Sequence, residues 1–546
     1  MEKQSRMTKE TYLHKRIQSI VPILIIVFFF ANSIISAAQV SKTYDEDTHL
    51  NFGLNLLQGN AERPWESVMP ISAWNAIPVF ISETNPGIVF NDFLDTLTAA
   101  RAMTILFTCG IAYLVFHFSR SLYGFVPALS SLLLFVFDPN ILAHSQLVTT
   151  DIFTTGAFLL VVFLSWRYVQ NRSWLNKILL ASGLGFALVT KYTAMSFIPL
   201  IFCMLIFFDL SQMYRQGQVI VKSPQLLREY LVLILLTILM SVIFVNAAYL
   251  AHRTFVPFGD YVFRSEVFSD LQQRFSFLSG VPVPVPYPHL QGFDWILAYE
   301  QTGEGHGNHY FLGQLRRGEG FSGYYLVAFL LKEPISTQII ILLAFVTFAM
   351  DAVRWSRFWK QEFFLFVPIA FYTVYFNYFY NSQIGIRYYL VVFPLLHIFA
   401  GSLFCNWLSF SPVKKWLSGL SIVYLAVSVF SYFPYYLPYF NEIVWNRAYA
   451  YKYLADSNLD WGQGREALEQ YLVSNPDVSY PTRYVRAGSF IVSVNDLVGI
   501  KDPEVYAWLR ENFQPVGHVA YSNLLFEITP EEKRELCLNS SYCSGK

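Results

Sequence analysis

Apolar residues gather along this chain in long blocks with polar punctuation, not in the short alternations of a water-soluble fold. The first block, from about Gln18 to Val40, is long enough to cross a hydrocarbon layer of roughly 30 Å at about 1.5 Å per residue. Ten more centre near residues 108, 132, 160, 184, 200, 240, 344, 371, 396 and 426, so hydropathy predicts about eleven membrane-spanning helices. Ser36-Ala37-Ala38 faintly resembles a cleavage site, but the many later spans favour a retained anchor. Composition agrees. The chain is 54% hydrophobic and only 14% charged, against roughly 25% charge in a soluble domain. A formal net charge of +0 gives no footprint for nucleic acid, and no such partner is expected.

An odd number of spans places the termini on opposite sides, and Lys and Arg in short loops set which is which. Lys3, Arg6, Lys9, Lys15 and Arg16 precede the first block, and every second loop repeats the pattern: Arg120; Arg167, Arg172 and Lys177; Arg215, Lys222 and Arg228; Arg354, Arg357 and Lys360; Lys414 and Lys415. The short loops of opposite parity hold only Lys191 and Arg387. The amino terminus is therefore expected in the cytoplasm and the carboxyl terminus outside. This divides the chain into a transmembrane domain over 1–437, with outer segments at about 41–98 and 251–335, and an extracytoplasmic domain over 438–546.

The first outer segment, interrupted by Pro64, Pro70, Pro78 and Pro86, predicts broken helices at the interface. The second contains Val281-Pro282-Val283-Pro284-Val285-Pro286, an extended polyproline-like run. The tail predicts a helix over Arg465 to Leu472 and short strands at Arg483 to Val485 and Gly517 to Tyr521, a small α/β unit. The chain has no internal repeat and no phosphate-binding loop of the nucleotide-driven pumps.

Candidate chemistry lies in the outer segments. Tyr44-Asp45-Glu46-Asp47-Thr48-His49 sets three consecutive acids where the first span ends. Ionisable groups at such depth mark a site or pathway, although a solvated helix end has the same composition. Asp151 closes His144-Ser145-Gln146-Leu147-Val148-Thr149-Thr150-Asp151 and reads equally as a helix cap. Lys191 stands where the outer connection is nearly absent, and Arg387 stands in Gly385-Ile386-Arg387-Tyr388-Tyr389; either could simply snorkel or anchor. Together, acids and isolated cations at one face supply a base and leaving-group neutralisation, as transfer from a phosphate-linked lipid requires. His144, His306, His309 and Tyr388 are further candidates for substrate contact. His306 and His309 without a fixed carboxylate are a weak metal signature, so a divalent ion stays an open alternative and no cofactor is assigned. Lys332 and Glu333 before Pro334 read as a paired cap at a membrane entry. Cys109, Cys203 and Cys405 read as core residues, and Cys537 with Cys543 as a candidate disulfide.

These motifs resemble the C-type (GT-C) integral-membrane glycosyltransferases, specifically the family of protein O-mannosyltransferases and lipid A aminoarabinose transferases. Asp45-Glu46 is similar to that family's acidic pair in the first outer loop, and Ala143-His144 through Thr150-Asp151 to its second-loop acid. Thr190-Lys191-Tyr192 and Gly385 to Tyr389 with Pro394 resemble elements of bacterial members, and Asp456-Ser457-Asn458-Leu459-Asp460-Trp461-Gly462-Gln463 a tail signature of a bacterial subgroup. The resemblance covers most of the chain but lacks the β-trefoil that follows the third outer loop in eukaryotic protein mannosyltransferases. It implies an all-α polytopic fold in a bacterial inner or plasma membrane, a polyprenyl-phosphate sugar donor and an acceptor that is protein, lipid or glycan. It further implies an inverting transfer with Asp45 as general base, Glu46 and Asp151 orienting Asp45, the acceptor or a divalent ion, and Lys191 and Arg387 neutralising the departing lipid phosphate. A transporter or flippase of lipid-linked saccharides is the rival reading, and a scaffold whose tail binds an envelope partner is a third.

Overall fold

The computed structural model describes residues 2–84, 95–217, 224–303, 307–539 and 541–543. Among the described residues seven helices are long and apolar enough to cross a membrane: Gln18–Ala37, Thr96–Tyr123, Asp151–Gln170, Tyr192–Arg215, Pro224–Ala248, Ile386–Phe404 and Pro412–Phe430. The segments near 132 and 344 are bent pairs, Phe125–Val136 with Pro139–Ser145 at 62° and Tyr324–Lys332 with Ile335–Met350 at 114°. Those near 184 and 371 are helical for 14 and 16 residues, Trp174–Ala187 and Phe363–Tyr378, short of the roughly 20 a straight span needs. By length and composition the described residues hold seven such spans, or nine if each bent pair counts as one; the other two of the eleven expected segments are the shorter helices Trp174–Ala187 and Phe363–Tyr378.

Both bends have local causes. Asp138 accepts hydrogen bonds from the backbone N–H groups of Asn140 (2.7 Å) and Ile141 (3.1 Å), and Pro139 begins the next helix, so a cap and a proline restart the chain in a new direction. At the second bend Glu333 is extended before Pro334, as a residue preceding proline prefers to be. The Asp151–Gln170 and Ile386–Phe404 helices are the most enclosed, and Pro224–Ala248 and Pro412–Phe430 the most peripheral. Without a water-driven term between spans, packing of small residues holds them. A Cβ on Gly401 would stand 2.1 Å from Ser131 Oγ and 2.5 Å from the Pro127 carbonyl, so no larger side chain fits that crossing.

The first long connection forms two helices, Glu46–Leu57 and Ser72–Thr84; Pro86 lies outside the described residues. It is pinned by Arg63, which is buried and donates to Tyr192 Oη (2.7 Å), Tyr249 Oη (2.8 Å) and the carbonyls of Val68 (2.6 Å) and Pro288 (3.1 Å). In the proline run Val283 exchanges backbone hydrogen bonds with Phe255 and Val256 at 3.0 Å each, but the chain bends at 281 and again at 284 and 285, so the run is not the single extended stretch expected.

The hairpin β1 (Asn308–Phe311) and β2 (Gln314–Arg317) is antiparallel. In the tail, β3 (Val478–Ser479), β4 (Gly488–Ser493), β5 (Gly517–Val519) and β6 (Asn523–Ile528) form one sheet in the order β3-β4-β6-β5. The predicted helix is present as Arg465–Ser474. The run at 483–485 precedes its strand instead of forming it. One apolar cluster runs from the spans into the tail, including Phe490, Trp508 and Phe526. Cys537 and Cys543 are joined in a disulfide.

Candidate active site

The first span ends at Ala37, and the chain turns so that Asp45 stands at the N-cap of the Glu46–Leu57 helix without capping it. Its carboxylate is 40% exposed and faces a cavity of about 260 Å³ together with His49, Asp151, Lys191, Arg387 and Tyr388. Asp45, Asp151, Lys191 and Arg387, separated by up to 342 positions in the chain, thus share one space.

Arg387 Nη1 lies 3.1 Å from Asp45 Oδ2 and 3.8 Å from Asp151 Oδ2. Lys191 Nζ lies 2.5 Å from Asp151 Oδ1. Asp151 caps no backbone; Thr150 occupies the N-cap, and both Asp151 oxygens face the cations. Aromatic faces hold those cations in place, with Lys191 Nζ 4.2 Å above the Tyr388 ring and the Arg387 guanidinium 4.2 Å from the Trp461 ring. Two acids and two bases give an approximately neutral knot with one carboxylate edge, that of Asp45, open to the cavity.

Glu46 does not reach the cavity. It is fully buried and accepts from Arg101 Nη2 (2.6 Å), Arg101 Nε (2.9 Å), the Val148 N–H (3.0 Å) and the Thr43 N–H (2.9 Å). Arg101 in turn donates to the carbonyls of Ala37, Val40 and Ser41. This pair joins the end of the first span, the Thr96–Tyr123 helix and the loop leading to Asp151, and so fixes where Asp45 stands.

The other sequence candidates divide. Tyr388 lines the cavity. His144 is buried behind it against Trp461, with 6.0 Å between ring centroids, and His309 lies on β1, opposite Arg316; neither lines the cavity. His306 lies outside the described residues. Lys332 and Glu333 are not a paired cap: both are buried, and Lys332 Nζ donates to the carbonyls of Leu437, Tyr439 and Asn458. A helix end that turns inward at a proline bend takes its charges with it.

Three groups were not singled out in the sequence. His49, one turn after Asp45, is buried beside the cavity; burial, opposed only in part by Asp45 and Asp151, pushes its imidazole down to about 4, so it is neutral near pH 7. Arg101 signals itself only through its unexpected place inside an apolar helix. Asp456, in the tail signature, is half-buried and lies near Asp45 and Arg387; desolvation pushes its carboxyl up to about 6 while Arg387 opposes the rise. The neighbouring Asn458 Oδ1 accepts from the Ile386 N–H at 3.0 Å, so the tail signature orients the residue beside Arg387.

The fold and site together define a polytopic helical membrane protein with a charge-paired pocket where spans end. Residues 88–244 match the family model of the dolichyl-phosphate-mannose-protein mannosyltransferases, and this match bears out the resemblance read from the sequence. It includes Asp151 and Lys191. Two solved structures are similar in arrangement. ArnT from Cupriavidus metallidurans, bound to undecaprenyl phosphate, overlaps at a TM-score of 0.45 with 15% identity, covering 75% of this chain and 64% of that one. The archaeal oligosaccharyltransferase AglB from Archaeoglobus fulgidus, with an inhibitory peptide and a dolichol-phosphate, overlaps at 0.42 with 11% identity, covering 84% and 60%. The chain therefore spans under two thirds of the length of each. No curated relative matches it by sequence.

Proposed function

We propose that the chain transfers a sugar from a polyprenyl-phosphate carrier to an acceptor hydroxyl at the extracytoplasmic face of a bacterial inner or plasma membrane, inverting the anomeric centre. The observation that carries this reading is the open Asp45 carboxylate beside the Asp151–Lys191–Arg387 knot in one cavity. The family match over 88–244 supports it, and the positive loops at the opposite ends of the spans support the orientation.

Asp45 takes the proton of the acceptor hydroxyl as that oxygen bonds to the anomeric carbon. The bond from that carbon to the phosphate oxygen breaks, and its electron pair leaves with the phosphate. A phosphodiester carrying one negative charge becomes a phosphomonoester carrying two, while Asp45 loses one by protonation. The summed charge of the site does not change, and Lys191 and Arg387 need only follow the charge as it moves from Asp45 to the phosphate. Arg387 suits this, since it already bridges the two acids. Glu46 is a positioning residue acting through Arg101. No metal is needed for this balance.

A groove of about 500 Å³ between the Tyr192–Arg215 and Pro224–Ala248 helices, lined by Ile198, Phe202, Ile234, Ile238, Val242 and Val285, offers apolar walls for an isoprenoid tail. Its wall residue His289 bonds through its carbonyl to Tyr192 Oη at 2.9 Å, and Tyr192 lines the Asp45 cavity.

Lys191→Ala and Arg387→Ala are each expected to raise the KM for a polyprenyl-phosphate sugar by about tenfold or more, equivalent to about 1.4 kcal/mol or more, and to weaken binding of the sugar-free polyprenyl phosphate in parallel. Unchanged affinity for the carrier in both variants would remove these cations from the donor site. The flippase reading keeps one point in its favour, because bent spans with buried polar groups at their breaks are a transporter feature. Carrier movement across a vesicle without any cleavage of the sugar would decide for it.

A further inference from the structure

Each bent span pair carries a carboxylate at its break, Asp138 between Phe125–Val136 and Pro139–Ser145, and Glu333 between Tyr324–Lys332 and Ile335–Met350. Both face His397 of the enclosed Ile386–Phe404 helix. His397 Nε2 is 3.4 Å from Asp138 Oδ2 and 3.7 Å from Glu333 Oε1, and one ligand atom from each residue falls within 4.8 Å of the others. All three side chains are at most 1% exposed. Among the described residues, no hydrogen bond of good geometry reaches Asp138 Oδ2, either Glu333 oxygen or the Thr337 hydroxyl, although the Asp138 carboxyl and the Thr337 hydroxyl both stand close enough to Glu333 to interact with it.

Two buried carboxylate groups with open oxygens are costly unless a proton or a cation between them neutralises the pair. The imidazole separations are long for charge-assisted hydrogen bonds, which run about 2.7–2.9 Å. The 3.4 Å separation instead equals the edge of a coordination tetrahedron, since bonds of about 2.0–2.2 Å put neighbouring ligand atoms about 3.3–3.6 Å apart, and the 3.7 Å separation lies just beyond that edge. The geometry points to a divalent transition-metal ion held by Asp138, Glu333 and His397, joining the two bent spans to the enclosed helix. One imidazole nitrogen with two carboxylate oxygens suits Zn²⁺ or Mn²⁺ better than the all-oxygen preference of Ca²⁺ or Mg²⁺. The two carboxylates balance the ion's charge, because the neighbouring Lys332 ammonium is taken up by the carbonyls of Leu437 (2.8 Å), Tyr439 (3.1 Å) and Asn458 (2.8 Å). Thr337 or water completes the coordination.

The site bears on function by position alone. Glu333 adjoins Lys332, Lys332 holds Asn458, and Asn458 holds the backbone next to Arg387. The ion fixes the platform under that cation and touches no substrate.

Elemental analysis of the full-length chain, purified in detergent without added metal, is expected to give about one Zn or Mn per chain, and His397→Ala and Glu333→Gln to lose nearly all of it. Should either variant fail to fold, the wild-type chain serves: a strong chelator lowers its Tm and added Zn²⁺ or Mn²⁺ restores it. A metal-free wild-type chain whose Tm ignores both ions overturns the site and leaves a proton shared between Asp138 and Glu333 in its place. Asp45→Asn is expected to retain the metal in full, so metal content and sugar transfer fail separately.

Discussion

Asp45→Asn is expected to reduce sugar transfer by about 10³-fold or more, within the range that a lost general base costs, while Tm and membrane insertion stay at wild-type values. The isosteric amide keeps the hydrogen-bonding outline toward Arg387 but cannot take a proton from the acceptor. The side chain is 40% exposed and caps no helix, so the fold does not depend on its charge. Initial rates of carrier release, measured beside a thermal unfolding curve, separate the two effects. Rates within threefold of wild type would remove Asp45 from the chemistry and leave the cavity a binding site only.

The second large effect concerns stability. Arg101→Met leaves Glu46 fully buried with only backbone N–H groups and the Thr43 hydroxyl as partners, and removing one partner of such a pair costs about 3–5 kcal/mol. The variant is expected to unfold several degrees below wild type and to lose transfer with the misplaced Asp45 loop. Pairing it with Glu46→Gln removes the stranded charge and should recover part of the Tm. A thermal transition of Arg101→Met at the wild-type temperature would show that Glu46 is not held as the structure has it.

What the sequence disclosed and what it concealed follow from the range of the interactions. Spans and loop charges are local sums over neighbouring residues, so the helices and the clustering of Lys191 and Arg387 away from the positive loops were legible. The bends are written into the chain as Asp138-Pro139 and Glu333-Pro334, yet apolar length carries no sign of the cap or the proline. The two readings of Asp151 could not be separated locally. Lys191, 40 positions away, decides that its carboxylate faces cations and not the helix backbone. Glu46 looked like its neighbour Asp45, and only its partner 55 positions on places it outside the cavity. The tail signature was readable as a motif yet silent as structure, since Asn458 and Trp461 act on Ile386 and Arg387 across the fold. Tyr388 faces the cavity, whereas His144 and His309 are side chains whose burial no spacing encodes.

The central claim is that Asp45 and its cation partners cleave a sugar from a lipid phosphate. Purified protein in detergent, given a panel of polyprenyl-phosphate sugars with candidate acceptors, tests it by the appearance of free polyprenyl phosphate. The account predicts release from at least one donor by the wild-type chain and none above background by Asp45→Asn. Equal release by both chains, or intact donor throughout alongside carrier movement across vesicles, would contradict it.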